Sequence, residues 1–284
     1  MTKLCRLSVV ISFLFVSGSI ILADEEVGIS DNSFLIEEAY NQEPGVVQHI
    51  FNLVFGWDKV SGNRFSETKI GFTQEWPLFS QRHQLSYTIP ILFMGGGGVS
   101  IDGISDIALH YRYQALSESD KLPAFAPRFS VIMPTGDKNK GLGSGVVGYQ
   151  INLPASKKFL KLWHAHFNMG ATLLPGVEQN LISGGNIRED LISFNLGFSA
   201  IYLLKNNFNF MLEFLTESEQ ELNVSGTKDR FTSVVLSPGL RYAINTLNGA
   251  QWVLGAAAPI SLTDNGNDYG IFFYFSFEHS FVRQ

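Results

Sequence analysis

From residue 48 to the end of the chain, hydrophobic and polar residues alternate in segments about ten residues long. The alternation is clearest at 85–93, 105–114, 162–173, 190–202 and 271–281. Successive side chains of a β-strand point to opposite faces, so each segment predicts a strand with one apolar and one polar face. A tilted strand needs about ten residues to cross a membrane, and this pattern is typical of transmembrane barrels.

Weaker alternation fills the intervals between these segments, at 48–57, 65–76, 124–133, 144–153, 207–216, 230–244 and 250–262. Together the segments predict about twelve strands, with ten to fourteen compatible, and single-chain bacterial barrels have an even number. No stretch after residue 23 is long and apolar enough for a membrane-spanning helix. The predicted fold class is all-β, a transmembrane antiparallel up-and-down β-barrel over residues 48–284. A soluble periplasmic β protein is the alternative.

The connections between predicted strands sort into short and long ones. If the first strand rises from the periplasm, the short connections at 77–82, 154–161, 204–206 and 245–249 are periplasmic turns. The long ones at 94–103, 135–143, 174–189 and 217–229 are then external loops, as expected for an outer-membrane barrel. The connection at 116–123 is an exception, because it is long for a periplasmic turn.

Residues 1–23 have the organisation of a signal peptide. Lys3 and Arg6 precede an apolar run at 7–22, and Ala23 is a plausible end of the leader. A retained anchor helix is the alternative, although the run is short for a span. Cys5, the only cysteine, lies within this leader, so the exported chain has no thiol for a disulfide or a lipid anchor.

Residues 24–47 do not alternate. The segment 35–40 could form a short helix ended by Pro44 and Gly45. Two interpretations stay open: a periplasmic leader into the first strand, or a partial plug folded into the barrel lumen.

Composition supports a membrane barrel and excludes a nucleic-acid partner. Charged residues make up only 16% of the chain, which carries 27 Gly and 24 Phe, and soluble domains contain about 25% charged residues. The net charge of −6 lacks the clustered basic residues that nucleic-acid binding requires. The predicted location is the outer membrane of a Gram-negative cell.

Polar and charged residues on the inward face are candidates for lining a pore, because the lipid face penalises charge. These candidates are Asp106, His110, Arg112, Arg128, His164, His166, Glu213, Arg241 and Glu278. They either line a water-filled path or pair with one another to hold the barrel rigid. His164 and His166 share a face, but a zinc site would need further ligands that the nearby sequence does not offer. No metal and no cofactor is predicted.

An enzyme is not predicted. A barrel hydrolase would need a serine and a histidine on adjacent strands, and the chain has no G-x-S-x-G segment. The glycine-rich segment 136–142 has the spacing of a phosphate-binding loop but lacks its Lys-Ser/Thr pair.

Several segments resemble an outer-membrane transporter family named after the meta-pathway of phenol degradation. The resemblance rests on residues 103–113, 127–137 and 141–145, and on the strand that contains Trp163, His166, Asn168 and Gly170. It spans roughly residues 50–281, and it implies a barrel that transports solutes without identifying a substrate or binding residues.

The predicted function is passive transport of small solutes, hydrophobic or aromatic ones among them, across the outer membrane. About twelve strands enclose a lumen intermediate between a filled barrel and an aqueous porin. The alternatives are a structural or surface-interaction barrel with a closed lumen and, third, a barrel lipid hydrolase. Expected partners are outer-membrane lipids, a small-molecule solute and the barrel assembly machinery. That machinery commonly reads a terminal aromatic residue, whereas here residues 282–284 follow Phe281.

Overall fold

Twelve antiparallel strands form a closed barrel in the computed structural model, which describes residues 29, 33–60, 63–246, 249–263 and 268–281. The strands are β1 Val46–Val60, β2 Asn63–Leu78, β3 Ser80–Gly96, β4 Val99–Ile104 with Ile107–Tyr113, β5 Ala124–Phe125 with Arg128–Met133, β6 Gly148–Asn152 with Ala155–Phe159, β7 Trp163–Asn180, β8 Asn186–Lys205, β9 Phe208–Leu222, β10 Lys228–Asn245, β11 Gln251–Ala257 with Ile260–Ser261, and β12 Tyr269–Ser280.

Each strand pairs with the next one in the sequence, and β12 returns to β1. The closing pair runs from Val46 opposite Ser280 to Trp57 opposite Tyr269. A closed barrel satisfies the backbone hydrogen bonds of every strand, and this lets strands cross a bilayer. We call the end at which β1 begins and β12 ends the lower rim, and the opposite end the upper rim.

Four strands are interrupted for two residues each, and three of these interruptions contain a proline. Pro127 interrupts β5, Pro154 interrupts β6 and Pro259 interrupts β11. Proline has no N–H to donate to a neighbouring strand, so the ladder breaks at these positions. The fourth interruption, at residues 105–106 of β4, is a bulge. On both sides of it β4 pairs with β3, which shows that the two pieces are one strand.

The outer face of the barrel is apolar around its whole circumference. Its exposed large hydrophobic residues include Phe51, Phe93, Leu109, Phe129, Ile151, Phe167, Met169, Phe194, Phe198, Phe210, Leu212, Leu240, Leu254, Ile271 and Phe273. A soluble monomer rarely exposes a contiguous apolar surface of this extent. The predicted fold class is therefore confirmed, and each of the twelve predicted segments overlaps one strand in the predicted order.

The prediction of long external loops was wrong at three positions. Residues 94–103, 174–189 and 217–229 are mostly strand, with Glu178 opposite Arg188 and Glu221 opposite Asp229. Alternation marks only the part of a strand with one apolar face. Where both faces become polar, that signal disappears although backbone pairing continues. The two longest connections, 114–123 and 134–147, lie at opposite rims, so connection lengths do not alternate as expected.

The helix predicted at 35–40 was also wrong. Those residues have no regular secondary structure, and the only helical segment in the described part of the chain is the 3-10 turn Lys138–Lys140. No helix among the described residues is long and apolar enough to cross a membrane. The predicted signal peptide and residues 282–284 lie outside the described residues.

Candidate functional site

Residues 33–44, which we call the luminal segment, lie inside the barrel. Polar groups of this segment form hydrogen bonds with inward side chains of four strands and with Gln114, the residue after β4: Ser33 Oγ with Ser199 Oγ (2.7 Å), Leu35 N with Glu213 (2.9 Å), Ala39 N with Ser156 (2.7 Å), Asn41 N with Gln114 (3.2 Å), and Gln42 N with Gln84 (2.8 Å). Buried backbone N–H groups must find acceptors. Here barrel side chains supply them, so the segment needs no helix of its own.

Arg112 on β4 is the most extensively bonded residue of this contact. Its Nε donates to Asn41 Oδ1 (2.8 Å), and its Nη2 donates to the carbonyl of Tyr40 (2.8 Å). Its Nη1 donates to the Glu37 carboxylate and to the carbonyl of Glu38, both at 3.0 Å. The Arg112 side chain is only 2% exposed. A buried guanidinium of this kind is tolerated because its donors have acceptors fixed in the matching geometry.

Glu37 is the central anion of the luminal segment. Its carboxylate accepts from Arg112, lies 3.1 Å from Arg128 Nη1 and accepts from Asn152 Nδ2 (2.9 Å). Arg128 also donates to Gln150 Oε1 (2.8 Å). Two guanidinium groups, from β4 and β5, and one amide from β6 therefore converge on one residue of the segment.

Glu213 on β9 holds the segment on the opposite wall. Its Oε1 accepts from the backbone N–H groups of Leu35 (2.9 Å) and Ile36 (3.2 Å), while its Oε2 has no hydrogen-bond partner. The Glu213 side chain is fully buried. A carboxylate that accepts from successive backbone N–H groups acts like a helix cap and fixes the chain direction at this point.

Two apolar side chains of the segment occupy positions where the barrel wall has glycine. Phe34 packs over Gly239 and Gly255, and its ring lies 5.2 Å from Phe272 and 5.3 Å from Tyr274. Ile36 packs over Gly197 in the same way. A Cβ at Gly239 would lie 2.8 Å from Phe34 Cε2, and the other two glycines leave still less room. The wall therefore has sockets that match the side chains of the segment.

Tyr40 anchors the segment near the lower rim. Its hydroxyl donates to Glu118 Oε2 (2.6 Å), and the N–H of Lys158 donates to Glu118 Oε1 (2.7 Å). Burial, together with the Glu118 carboxylate, raises the pKa of the Tyr40 hydroxyl. Burial alone would raise the pKa of Glu118, but these hydrogen bonds and the nearby Lys157 ammonium hold it below its usual value. At neutral pH Tyr40 is therefore the donor and Glu118 the ionised acceptor.

Eight of the nine predicted pore-lining residues lie on inward positions of their strands, and the ninth, Asp106, lies in the interruption of β4. Arg112, His166, Glu213 and Arg241 are almost completely buried. The structure brings Arg112, Arg128 and Glu213 together around the luminal segment. The two histidines of the segment 164–166 differ, since His166 is buried and His164 only partly so. Within the described residues there is no group of three or more His, Cys, Asp or Glu side chains that could hold a metal ion.

Among the described residues, two histidines are hydrogen-bonded to a serine on an adjacent strand, and both pairs lie inside the lumen. His110 Nδ1 lies 2.8 Å from Ser130 Oγ and its Nε2 lies 3.1 Å from Thr88 Oγ1. His166 Nδ1 lies 2.7 Å from Ser156 Oγ, which already accepts from the N–H of Ala39. A hydrolase needs a serine that substrate can reach and an imidazole oriented by a third group. The luminal segment covers Ser156, and both ring nitrogens of His110 are hydrogen-bonded to hydroxyl groups.

Asp106 has a different role from the other candidates. Its Oδ1 accepts from Gly136 N (2.9 Å), and its Oδ2 accepts from Ser144 N (2.7 Å) and Ser144 Oγ (2.8 Å). Leu142 from the same loop packs against Gly103 on the inner face of β4. The loop 134–147 thus folds inward at the upper rim. Asp106, Gly136 and Ser144 come from three of the segments that carry the family resemblance, so these segments meet at this carboxylate.

We expect Asp106→Ala to release the loop 134–147. Hydrogen bonds to a charged acceptor contribute about 1.5–3 kcal/mol, and this variant loses three of them. Limited trypsinolysis after Lys138 and Lys140 should become markedly faster. The exposed Asp102 on β4 provides the control, and Asp102→Ala should leave the cleavage rate unchanged. Equal rates for the two variants would show that Asp106 does not hold the loop.

Two cavities lie inside the barrel, and the luminal segment lines the smaller one. The upper cavity, about 500 Å³, combines carboxylates with apolar walls and is lined in part by Val54, Glu67, Lys69, Glu217, Glu219, Glu221, Phe231, Val235 and Tyr269. The middle cavity, about 180 Å³, lies between the segment and β1–β5. Its wall is mainly polar and includes Asn52, Thr73, Glu75, Ser86, Thr88, His110 and Arg128.

The sequence did not identify the contacts of the luminal segment. Residues 33–44 have no periodicity, so nothing local distinguishes a segment inside the barrel from one outside it. The nearest signal is glycine at the inward positions Gly197, Gly239 and Gly255, because glycine in a strand often marks the close approach of another chain segment.

Comparison with known proteins shows the fold. The barrel superposes on an outer membrane channel from Pseudomonas putida F1 with a TM-score of 0.68 and 13% sequence identity, covering 86% of this chain and 98% of that one. It also resembles the translocator domain of the autotransporter NalP from Neisseria meningitidis, with a TM-score of 0.51, 12% identity and coverage of 84% and 90%. No protein-family profile and no curated protein sequence matches the chain. The chain has the fold of an outer-membrane β-barrel.

Proposed function

We propose that this chain is a passive channel for small solutes in the outer membrane of a Gram-negative cell, and that the luminal segment forms its constriction. The observation that carries the proposal is a polar inner face with one cavity against that segment and a larger one nearer the upper rim. A barrel built only for rigidity would fill its interior with packed side chains, as small barrels do.

The composition of the upper cavity suggests the kind of solute. Phe231 and Val54 supply aromatic and apolar surface, and Glu217 and Lys69 supply polar groups beside it. Binding sites for small molecules commonly combine an apolar wall with a few polar groups that orient the ligand. We infer that the channel accepts small solutes with a hydrophobic or aromatic part, provided that they also carry a polar group able to pass the middle cavity.

A closed structural barrel is the second candidate, and one observation favours it. The luminal segment is held by a buried arginine, two carboxylates and two apolar sockets, as described above for Arg112, Glu37, Glu213, Phe34 and Ile36. If these contacts never open and the middle cavity is too narrow for solute, the lumen is sealed. The two candidates differ only in whether solute crosses.

Solute uptake into liposomes tests the proposal. We expect vesicles that contain the purified chain to take up a small aromatic amine or alcohol faster than empty vesicles do, with uptake falling as solute size increases. A matched sugar of similar mass measures the preference for aromatic solutes. Uptake of the sugar at the same rate would overturn the solute class, and uptake of neither would favour the sealed barrel.

We also propose which lipids and machinery the barrel contacts and how it is oriented in the membrane. The apolar outer face fits contact with outer-membrane lipids, and delivery to that membrane would require the barrel assembly machinery. Orientation with the lower rim in the periplasm places both chain ends of the barrel on that side, as is usual. The resemblance to the family named after phenol degradation agrees with this function.

A further inference from the structure

Two histidines meet on the outer face of the barrel, at the seam between its first and last strands. His49 on β1 and His279 on β12 approach with their Nε2 atoms 3.3 Å apart. Their rings are nearly parallel, with an interplanar angle of 14° and centroids 5.4 Å apart. The sequence separates the two residues by almost the whole barrel, so only closure of the barrel brings them together.

The tautomer of His279 is fixed by its other ring nitrogen. His279 Nδ1 lies 3.1 Å from the carbonyl oxygen of Ser280. A carbonyl oxygen can only accept, so Nδ1 carries the proton and the neutral ring presents a lone pair at Nε2. Metal-binding histidines usually donate their second nitrogen to a carbonyl or carboxylate in this way.

The distance between the two Nε2 atoms suits a shared zinc ion. Two Zn–N bonds of about 2.0–2.1 Å that meet at the tetrahedral angle separate their nitrogens by about 3.3–3.4 Å. A direct N–H···N hydrogen bond is the other arrangement compatible with this distance, and bound zinc distinguishes the two. A square-planar ion would require the nitrogens to be closer together, at roughly 2.8 Å for bonds of the same length.

Aromatic side chains surround the pair and hold the rings in place. His49 stacks between Phe72 and Phe277, at centroid distances of 6.4 and 6.1 Å with interplanar angles of 15°. Phe277 also packs at 5.0 Å from the ring of His279. An apolar shell of this kind controls solvent access to a metal site and favours the neutral imidazoles that bind metal.

We propose that His49 and His279 bind a zinc ion that links β1 to β12 at the lower rim. Two water molecules or other small ligands complete the tetrahedron, so the site has one open position more than catalytic zinc sites, in which the protein supplies three ligands. Unlike His164 and His166, this pair has its two ring nitrogens at the separation that one zinc ion requires. The ion would bind only to the closed barrel, because the two ligands come from opposite ends of the chain. It would therefore stabilise the closed seam by mass action. This inference does not depend on the proposed transport function.

Thermal unfolding and metal content of the purified full-length chain test the proposal. The protein is prepared in detergent without a histidine tag, stripped with a chelator and dialysed against zinc chloride. We expect one bound zinc per chain and a Tm several degrees higher than that of the stripped protein. His49→Asn and His279→Asn should each abolish both effects. Two independent variants are used so that a folding defect in one does not decide the result.

His83→Asn is the matched control. His83 is a partly exposed histidine on β3 whose Nδ1 lies 2.6 Å from the Tyr111 hydroxyl. This variant should keep the zinc and the increase in Tm. Heat-modifiable migration on a gel confirms that each variant is a folded barrel. The absence of bound zinc in the wild-type chain would overturn the proposal, as would an equal zinc effect in His49→Asn, and the pair would then be a hydrogen bond.

Discussion

A variant that lacks residues 24–44 but keeps residues 1–23, which are predicted to be a signal peptide, should form a channel whose conductance is severalfold higher than that of the full chain. The luminal segment occupies the interior between β3, β4, β6, β8 and β9, and its removal leaves a lumen of the size that twelve strands enclose. The barrel itself should survive, because its strands pair with each other and not with the segment. Single-channel current in planar bilayers measures the change.

A second variant tests whether the segment narrows the lumen by its presence alone or only when it is bound to the barrel wall. In this control, residues 33–44 are replaced by a Gly/Ser sequence of equal length, which has none of the anchoring side chains. We expect a conductance close to that of the deletion, with more current noise, since a flexible chain enters and leaves the lumen. If both variants conduct like the full chain, the segment is not the constriction.

Replacing Arg112 with methionine should release the luminal segment from the wall. The change removes four hydrogen bonds to the segment and leaves the Glu37 carboxylate with only one arginine. Breaking a buried ion pair by removing one partner costs about 3–5 kcal/mol. Amide hydrogen exchange at residues 35–41 should accelerate by roughly 100-fold or more, because each 1.4 kcal/mol corresponds to a factor of ten.

The exposed Arg82 provides the matched control, and Arg82→Met should leave exchange in the segment unchanged. Combining Arg112→Met with Glu37→Gln tests the coupling, because removing both partners costs less than the sum of the single changes when they interact. Additive effects, or protection of residues 35–41 in Arg112→Met, would mean that Arg112 does not dock the segment.

The strand order could be predicted because it follows from local pattern. Each strand must present an apolar face to lipid, so its alternation is visible in the sequence, as in the phenylalanines at 273, 275 and 277 of β12. The inward orientation of Arg112 and Glu213 follows from the same alternation. Where a strand no longer presents an apolar face to lipid, the alternation disappears. This is why the sequence predicts loops at the upper parts of β7 to β10.

The interior of the barrel could not be predicted in this way. Whether Arg112 lines an open path or binds Glu37 depends on the position of residues 33–44. The sequence of that segment has no periodicity from which its position could be predicted. Its backbone is held by side chains such as Ser156 and Glu213, which lie more than a hundred residues away in the sequence. The pairing of His49 with His279 likewise exists only once the barrel closes.

The central claim is that this barrel conducts small solutes past a docked luminal segment. Single-channel recording of the full-length chain in planar bilayers tests it most directly, with the variant lacking residues 24–44 measured in parallel. We predict small, discrete conductance steps for the full chain and severalfold larger steps for the variant. If the full chain shows no conductance at any applied voltage and only the variant conducts, the claim is contradicted and the barrel is sealed by its own N-terminal segment.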